Sequence, residues 1–378
     1  MLMAATRAAI KPDAVSDADD SQILFKAVSN PADQINVGAG GTTLRFLLPY
    51  LAALPGYTGI VKGSARLMQR PHKSLLDALS ALGADIQSID SGFKIKGKEL
   101  EGGSISLGNS ESSQFASALL LAAPMMKKGI CLQLPPYMPS PTYLRMTVDM
   151  MQKAGFEIQM QDNQVEVKPG MGFPGMIHIE RDWSAASYWY GIAALKPQSE
   201  ILLCDLSLNS VQGDANCADI FGLIGVDTKQ VDDGLLLTSK PATEFPLHFD
   251  VSNTPDLFQT LCFTLSGLRK KFTMSGLSTL RVKETDRIAA VQTQLLKLNV
   301  HSEFLNPETL FFDASNLKTE ARVIFESFDD HRMAMSAAVL SAMLWQAAIR
   351  DPFVVSKSYP SFWNDLSKAG FYLRELES

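Results

Sequence analysis

Lys283, Glu284, Asp286 and Arg287 lie within "LRVKETDRIAAV" (280–291), at the mouth of an apolar stretch. Two acids beside two bases can move a proton or grip an anion. The plainer reading is an amphipathic helix, since Ile288, Val291, Leu295 and Leu298 recur at helical spacing and charges at its start can simply face water. If that helix begins early enough to include Lys283, then Lys283 and Arg287 are i,i+4 neighbours, a pair that destabilises an isolated helix by roughly 0.2–0.5 kcal/mol. Cations are also disfavoured beside the positive end of a helix dipole. A bound anion between them would reverse both signs.

Similar exceptions occur at the starts of the most apolar segments. Gly41 and Thr42 precede Arg45; Ser112, Ser113 and Gln114 open a second segment; Asp256 follows Pro255; His331 and Arg332 open another. Three further stretches add Arg70 before Pro71, Ser140 and Tyr143 in "SPTYLRM", and Lys357 in "VVSKSYPSF". Helix N-termini present unpaired N–H groups and a positive dipole end, so several aimed at one cleft suit a multiply charged anion. Singly, each has an ordinary explanation: a cap, a tight turn, a surface ion pair.

The elements that must position these residues repeat along the chain. "SALGADI", "QKAGFEI", "GLIGVDT", "LKLNVHS" and "SKAGFYL" place Gly83, Gly155, Gly225, Asn299 and Gly370 at intervals of 72, 70, 74 and 71 residues. Each supplies a left-handed helix stop with a β-like run behind it. Between them, buried-helix patterns start at Gly41, Ser112, Trp183, Thr254 and Asp330. Runs such as "SISLG", "QVEVKPG" and "ARVIFES" read as strands. The unit is an α/β module of roughly 70 residues, present five times plus a shortened copy around "DADDSQILFKAVSN". Such units are too large for a solenoid, so two lobes of about three units are expected, 1–177 and 178–378, divided near the Pro- and Gly-bearing "MGFPGMIHIE".

The chain of 378 residues is 46% hydrophobic and 20% charged with net charge −6, so a nucleic-acid partner is not indicated and any anion site is a local exception. Cys131, Cys204, Cys217 and Cys262 are scattered without a CxxC pair, which fits a reducing cytoplasm, and no metal site is read from the five dispersed histidines. The apolar stretch 115–126 is too short to span a bilayer, and no signal peptide or membrane association is expected.

In order, "GGTTLRF", "RLMQRP", "SSQFASALLLAAP", "SPTY", "VQGDANCAD", "NTPD", "LRVKETDR", "DDHRMAM" and "SKSYPSF" resemble the enolpyruvyl transferases over nearly the whole chain. The resemblance is to the branch acting on shikimate 3-phosphate; the branch acting on UDP-N-acetylglucosamine typically has a cysteine in the loop that here carries Arg70. It implies an α/β, two-lobed enolpyruvyl transferase fold of repeated βαβαββ units, with helix N-termini facing an interdomain cleft. It implies a monomer that transfers the enolpyruvyl group of phosphoenolpyruvate to the 5-hydroxyl of shikimate 3-phosphate, without metal or organic cofactor. By the same resemblance Gly41, Arg70, Gln114, Arg287, Arg332 and Lys357 hold phosphoenolpyruvate. Ser112, Ser113, Gln114, Ser140, Tyr143, Asp256, Thr279 and Lys283 hold shikimate 3-phosphate. As catalytic residues, Asp256 takes the hydroxyl proton, Glu284 or a neighbouring acid protonates the methylene carbon, Lys283 bridges the reacting oxygens and His331 is a proton relay.

Departures are also expected to matter. Ala39 and Thr279 stand where the family often has Asn. Family members carry a Lys-Ser segment with a nearby Arg just ahead of what "MLMAATRAA" resembles, and its absence from the numbered chain leaves an impaired enzyme or a phosphate-ligand binder as the second reading.

Overall fold

All five spaced turn residues take up left-handed backbone: φ is 86° at Gly83, 79° at Gly155, 102° at Gly225, 64° at Asn299 and 95° at Gly370. Each ends a helix, and a strand follows the first four; behind Gly370 none is found among the described residues. The chain is seen here in a computed structural model, which describes residues 1, 10–107, 112–242, 245–320 and 322–375. The expectation attached to "MLMAATRAA" falls largely on residues 2–9, outside the described ones.

The chain opens with strand Ile10–Pro12 and helix α1 (Asp19–Ser29). The first full unit follows as strand Gln34–Asn36, buried helix α2 (Gly41–Ala52), strand Thr58–Lys62, helices α3 (Ala65–Gln69) and α4 (Lys73–Ala81), and strands Asp85–Ile89 and Gly92–Lys96. In its sheet the second strand runs parallel to the first and antiparallel to the fourth, which pairs with the third. The unit containing buried α5 (Ser113–Ala122) and amphipathic α6 (Pro141–Lys153) repeats this order. So does the one with α9 (Phe258–Gly267) and α10 (Arg287–Leu296).

Two units deviate. In the one built on α7 (Trp183–Leu195) and α8 (Cys217–Gly222), the first strand, Gly175–Ile177, leaves its own sheet and pairs in parallel with Ile10–Pro12. Asp13 braces that crossing, accepting from Ile179 N at 2.9 Å and meeting His178 Nδ1 at 2.6 Å. The last unit, with α11 (His331–Ser341) and α12 (Phe362–Lys368), has among the described residues only the parallel pair Arg322–Phe325 and Gln346–Ile349.

Two hydrophobic cores result, one drawn from Ile10 to Val167 and the other from Trp183 to Leu366, with no residue in common. In the N-terminal lobe α2 packs on α1 and α5; in the C-terminal lobe α7, α9 and α11 pack on one another. Leu44, Leu47, Leu48 and Leu51 are all fully buried on α2. At about 1.5–3 kcal/mol each they outweigh the roughly 3 kcal/mol helix penalty of Pro49 in the same turn.

The condition set on the start of the Arg287 helix is not met. Lys283 is not in the helix that carries Arg287. Residues 280–282 form a 3-10 turn, and α10 starts at Arg287 because the Asp286 carboxylate accepts from Ile288 N and Ala289 N at 3.1 and 3.2 Å. The like-charge i,i+4 pair therefore does not form, and Asp286 is a helix cap facing Arg281 at 3.4 Å, away from the other three charges. A second helix also starts later than its apolar pattern: Pro255–Leu257 makes a 3-10 turn before α9.

Gly83 and Gly225 hold equivalent positions in open and crowded settings. A Cβ on Gly83 would meet nothing within 4 Å, whereas one on Gly225 would lie 2.5 Å from the Lys240 carbonyl oxygen. Gly83→Ala is expected to destabilise the fold by about 1–2 kcal/mol from backbone strain alone, and Gly225→Ala by more. Urea unfolding midpoints of the two variants check the order.

Candidate active site

The centre of the cleft is a buried arginine. Arg287 is 2% exposed and opens α10. Its guanidinium donates from Nε to Asp330 at 2.9 Å, and through its two terminal nitrogens to Asp256 at 2.7 Å and Glu284 at 3.1 Å. The second oxygen of Asp330 accepts from Arg332 N at 2.9 Å and so caps α11. One carboxylate thereby joins the starts of two helices.

Around this arginine the charges alternate. Arg332 reaches Asp256 at 2.8 Å, and Lys283 Nζ lies 3.8 Å from the same carboxylate. Lys357 lies 3.3 Å from Glu284 and 2.8 Å from Asp20, and Arg70 is 3.9 Å from Glu284. The cations Arg70, Lys283, Arg287, Arg332 and Lys357 thus face the carboxylates Asp20, Asp256, Glu284 and Asp330. Arg70 and Asp20 come from the N-terminal lobe and the rest from the C-terminal lobe.

These neighbours decide protonation. Burial alone would raise Asp256, but Arg332, Lys283 and Arg287 prevail and hold it well below the usual carboxylate range. Glu284 is likewise pushed well down, against burial, by Lys357, Arg287, His331 and Arg70. Burial lowers Lys283, with Arg287 and Arg70 adding to the effect, though Asp256 opposes it. His331 is depressed by burial and by Lys357 and Arg332, so its imidazole is neutral near pH 7, and its Nδ1 has no hydrogen-bond partner among the described residues.

The opposite wall of the cavity belongs mostly to the N-terminal lobe. Arg70, Ser112, Ser113, Gln114, Ser140, Tyr143, Thr279 and Lys283 line it together. Ser112 caps α5 by accepting from Gln114 N at 3.3 Å. The Gln114 amide accepts from Arg45 and donates to Thr42 at 2.9 Å, which fixes which end is oxygen. Gly41 lies against Arg70, where a Cβ would sit 2.7 Å from a guanidinium nitrogen. Ser140 precedes α6 in left-handed backbone, φ 52° and ψ 59°, without capping it. Such strain in a non-glycine residue is of order 1–2 kcal/mol and is typical of a functional position.

All the residues read from the sequence as site candidates therefore meet at one cleft, whereas Asp286 turns away as a cap. Several participants carried no role in that reading. Asp330 opens a buried-helix pattern as a residue able to cap it, and its second role, as partner of Arg287, has no sign in the sequence; Asp214 sits inside the quoted motif "VQGDANCAD". Arg45 had been named only as a follower of Gly41. Asp20 carries no signal beyond acid in the first turn of α1. Asp214, 2% exposed, accepts from Tyr143 at 3.1 Å across the lobes and from Ser184. Burial and the nearby Asp256 push it up to about 6. Among the described residues, no cluster of metal-ligating side chains occurs and no helix is long and apolar enough to cross a membrane.

Residues 12–366 match the family model described as EPSP synthase (3-phosphoshikimate 1-carboxyvinyltransferase). The chain belongs to the EPSP synthase family. It is 38% identical over 370 residues to the 3-phosphoshikimate 1-carboxyvinyltransferase of Bacteroides fragilis strain ATCC 25285, covering 96% of this chain and 90% of that one. The protein of that name from Methanoculleus marisnigri is 33% identical over 342 residues, covering 89% and 79%. Among solved structures, EPSP synthase from Acinetobacter baumannii superposes with a TM-score of 0.76 at 19% identity, covering 97% and 93%. The enolpyruvyl transferase NikO from Streptomyces tendae gives 0.69 at 16% identity, covering 98% and 92%, and these two similarities establish the shared fold.

Two outcomes are expected for this member of the EPSP synthase family. Asp330→Ala strips Arg287 of a buried partner and α11 of its cap, and should lower stability in denaturant titration by about 3–5 kcal/mol. Because the folded Asp214 is raised above its ordinary 3.8, its stabilising contribution is complete below about pH 3.8 and lost as pH rises through about 6. The stability of the wild type minus that of Asp214→Asn should therefore shift towards the wild type as pH is lowered from about 7 to about 4.

Proposed function

We propose that this chain transfers the enolpyruvyl group of phosphoenolpyruvate to the 5-hydroxyl of shikimate 3-phosphate and releases phosphate. The observation carrying the reading is the convergence of Arg70, from one lobe, with Arg287, Arg332 and Lys357, from the other, on the carboxylates of Glu284 and Asp256. Both substrates carry phosphate and carboxylate groups, and guanidinium forks match such anions in bidentate fashion. Arg70, Arg332 and Lys357, with the backbone at Gly41 and the Gln114 amide, hold phosphoenolpyruvate. Arg287 has five N–H donors and gives three to carboxylates, so it can add an anion without releasing its partners. Ser112, Ser113, Gln114, Ser140, Tyr143 and Thr279 hold shikimate 3-phosphate.

The chemistry is addition followed by elimination. Asp256, ionised, accepts the proton of the 5-hydroxyl as its oxygen attacks C2 of phosphoenolpyruvate, and Lys283 neutralises charge on the reacting oxygens. The methylene carbon takes a proton from Glu284, whose carboxylate is lifted from its depressed range and takes up a proton once substrate anions share Lys357, Arg287 and Arg70. Phosphate leaves C2 carrying the proton held by Asp256, and the methyl group returns its proton to Glu284, which restores the double bond and leaves both carboxyl groups as they began. Neutral His331, beside Lys357, serves as relay. In this reading one chain supplies the whole site, with lobes 1–177 and 178–378, and acts as a cytoplasmic monomer.

Inorganic phosphate should appear only when both substrates are present, and UDP-N-acetylglucosamine should not replace shikimate 3-phosphate. Lys357→Met is expected to lower kcat/KM by roughly 30-fold to several thousand-fold, the range for removing one partner of a buried charge pair. Absence of phosphate release from the wild type with both substrates would overturn the assignment.

A further inference from the structure

Arg66 and Arg70 sit four residues apart, at the start and the C-terminal edge of the short helix α3, and so project from one face. Both reach across the cleft to the same place. Arg70 approaches the Glu284 carboxylate, while Arg66 donates from Nε to the Glu284 backbone carbonyl at 3.2 Å and from a terminal nitrogen to the Lys283 carbonyl at 3.4 Å. One arginine addresses the side chain and the other the peptide that carries it.

That peptide has little of its own to hold it. It lies between the 3-10 turn Leu280–Val282 and α10, and neither carbonyl is taken up in the helix, whose first backbone bond runs from Ala290 N to Asp286 O at 2.9 Å. The Lys283 and Glu284 side chains face Asp256 and Lys357, so a rotation of this peptide would move both out of register with the reacting atoms. Arg287 and Lys357 hold the Glu284 carboxylate from within the C-terminal lobe, but the two carbonyls are held from the other lobe, and that restraint exists only while the lobes are together.

We propose that Arg66 is a positioning residue that sets the Lys283–Glu284 peptide in its reactive orientation upon lobe closure, so that the charge-neutralising lysine and the proton-donating glutamate are brought into place by closing the cleft. The inference rests on the roles given to Lys283 and Glu284 above. It makes closure a condition for chemistry, and it keeps phosphoenolpyruvate bound to an open cleft from being protonated. Arg66 is exposed, so replacing it leaves both cores intact.

The full chain is compared with Arg66→Ala and Arg66→Lys by steady-state phosphate release and by hydrogen–deuterium exchange in saturating shikimate 3-phosphate and inorganic phosphate, which hold the cleft closed. In Arg66→Ala, kcat should fall on the order of 10- to 100-fold while KM for either substrate changes less than about threefold. Arg66→Lys, which retains one donor group within reach, should recover part of that loss. Exchange should accelerate at 280–287 in Arg66→Ala and stay unchanged at 288–296. Unaltered kcat, a loss confined to KM, or unaltered exchange at 280–287 each overturns the proposal. If the wild type releases no phosphate, the assigned activity fails, and the exchange comparison alone decides for or against Arg66.

Discussion

A guanidinium removed from water is the constraint on which the cleft depends. Stripping an ion of solvent costs several kcal/mol even after relaxation, and only close, well-directed opposite charge offsets it. Arg287 receives three carboxylates, each from a different segment: Asp256 from the turn before α9, Glu284 from the loop before α10, and Asp330 from the cap of α11. Satisfying that one side chain therefore sets the relative positions of three chain segments. The same carboxylates then hold Arg332, Lys283 and Lys357 in place, so the outer cations inherit their geometry from the buried one.

This arrangement keeps the ligand-free cleft close to electrical balance. Cations gathered without counter-charge would repel one another, and carboxylates gathered without cations would take up protons. Interleaved, both stay ionised, as the depressed Asp256 and Glu284 and the raised Lys357 attest. Anionic substrates arriving here compete with resident carboxylates for the same cations. Binding and the acidity of Glu284 are thereby linked: the more fully substrate occupies Lys357 and Arg70, the more readily Glu284 holds a proton.

Much of this was legible in the chain. Left-handed stops at Gly83, Gly155, Gly225, Asn299 and Gly370 mark the repeat because the backbone they require excludes most residues, and the nearly all-apolar segments mark helices with no wet face. The enolpyruvyl transferase resemblance rested on short motifs whose residues meet in space. What stayed hidden were roles created by partners distant in sequence. Asp20 resembles any acid at the start of a surface helix until Lys357 is beside it, and Asp214 acquires its near-neutral carboxyl only through burial with Asp256. The start of α10 was open for a related reason: the apolar period runs through 288–298, and only the Asp286 cap says where the first turn begins.

The crossing of Ile10–Pro12 with Gly175–Ile177 has a mechanical consequence. Chain passing from one half of the molecule to the other at residues 177–179 is not a lone thread, since a parallel neighbour and the Asp13 brace bind it into a two-ply ribbon. Spinning one half about that segment would part the Ile10–Pro12 and Gly175–Ile177 pairing and the Asp13 contacts, a cost that a lone connecting strand would not carry.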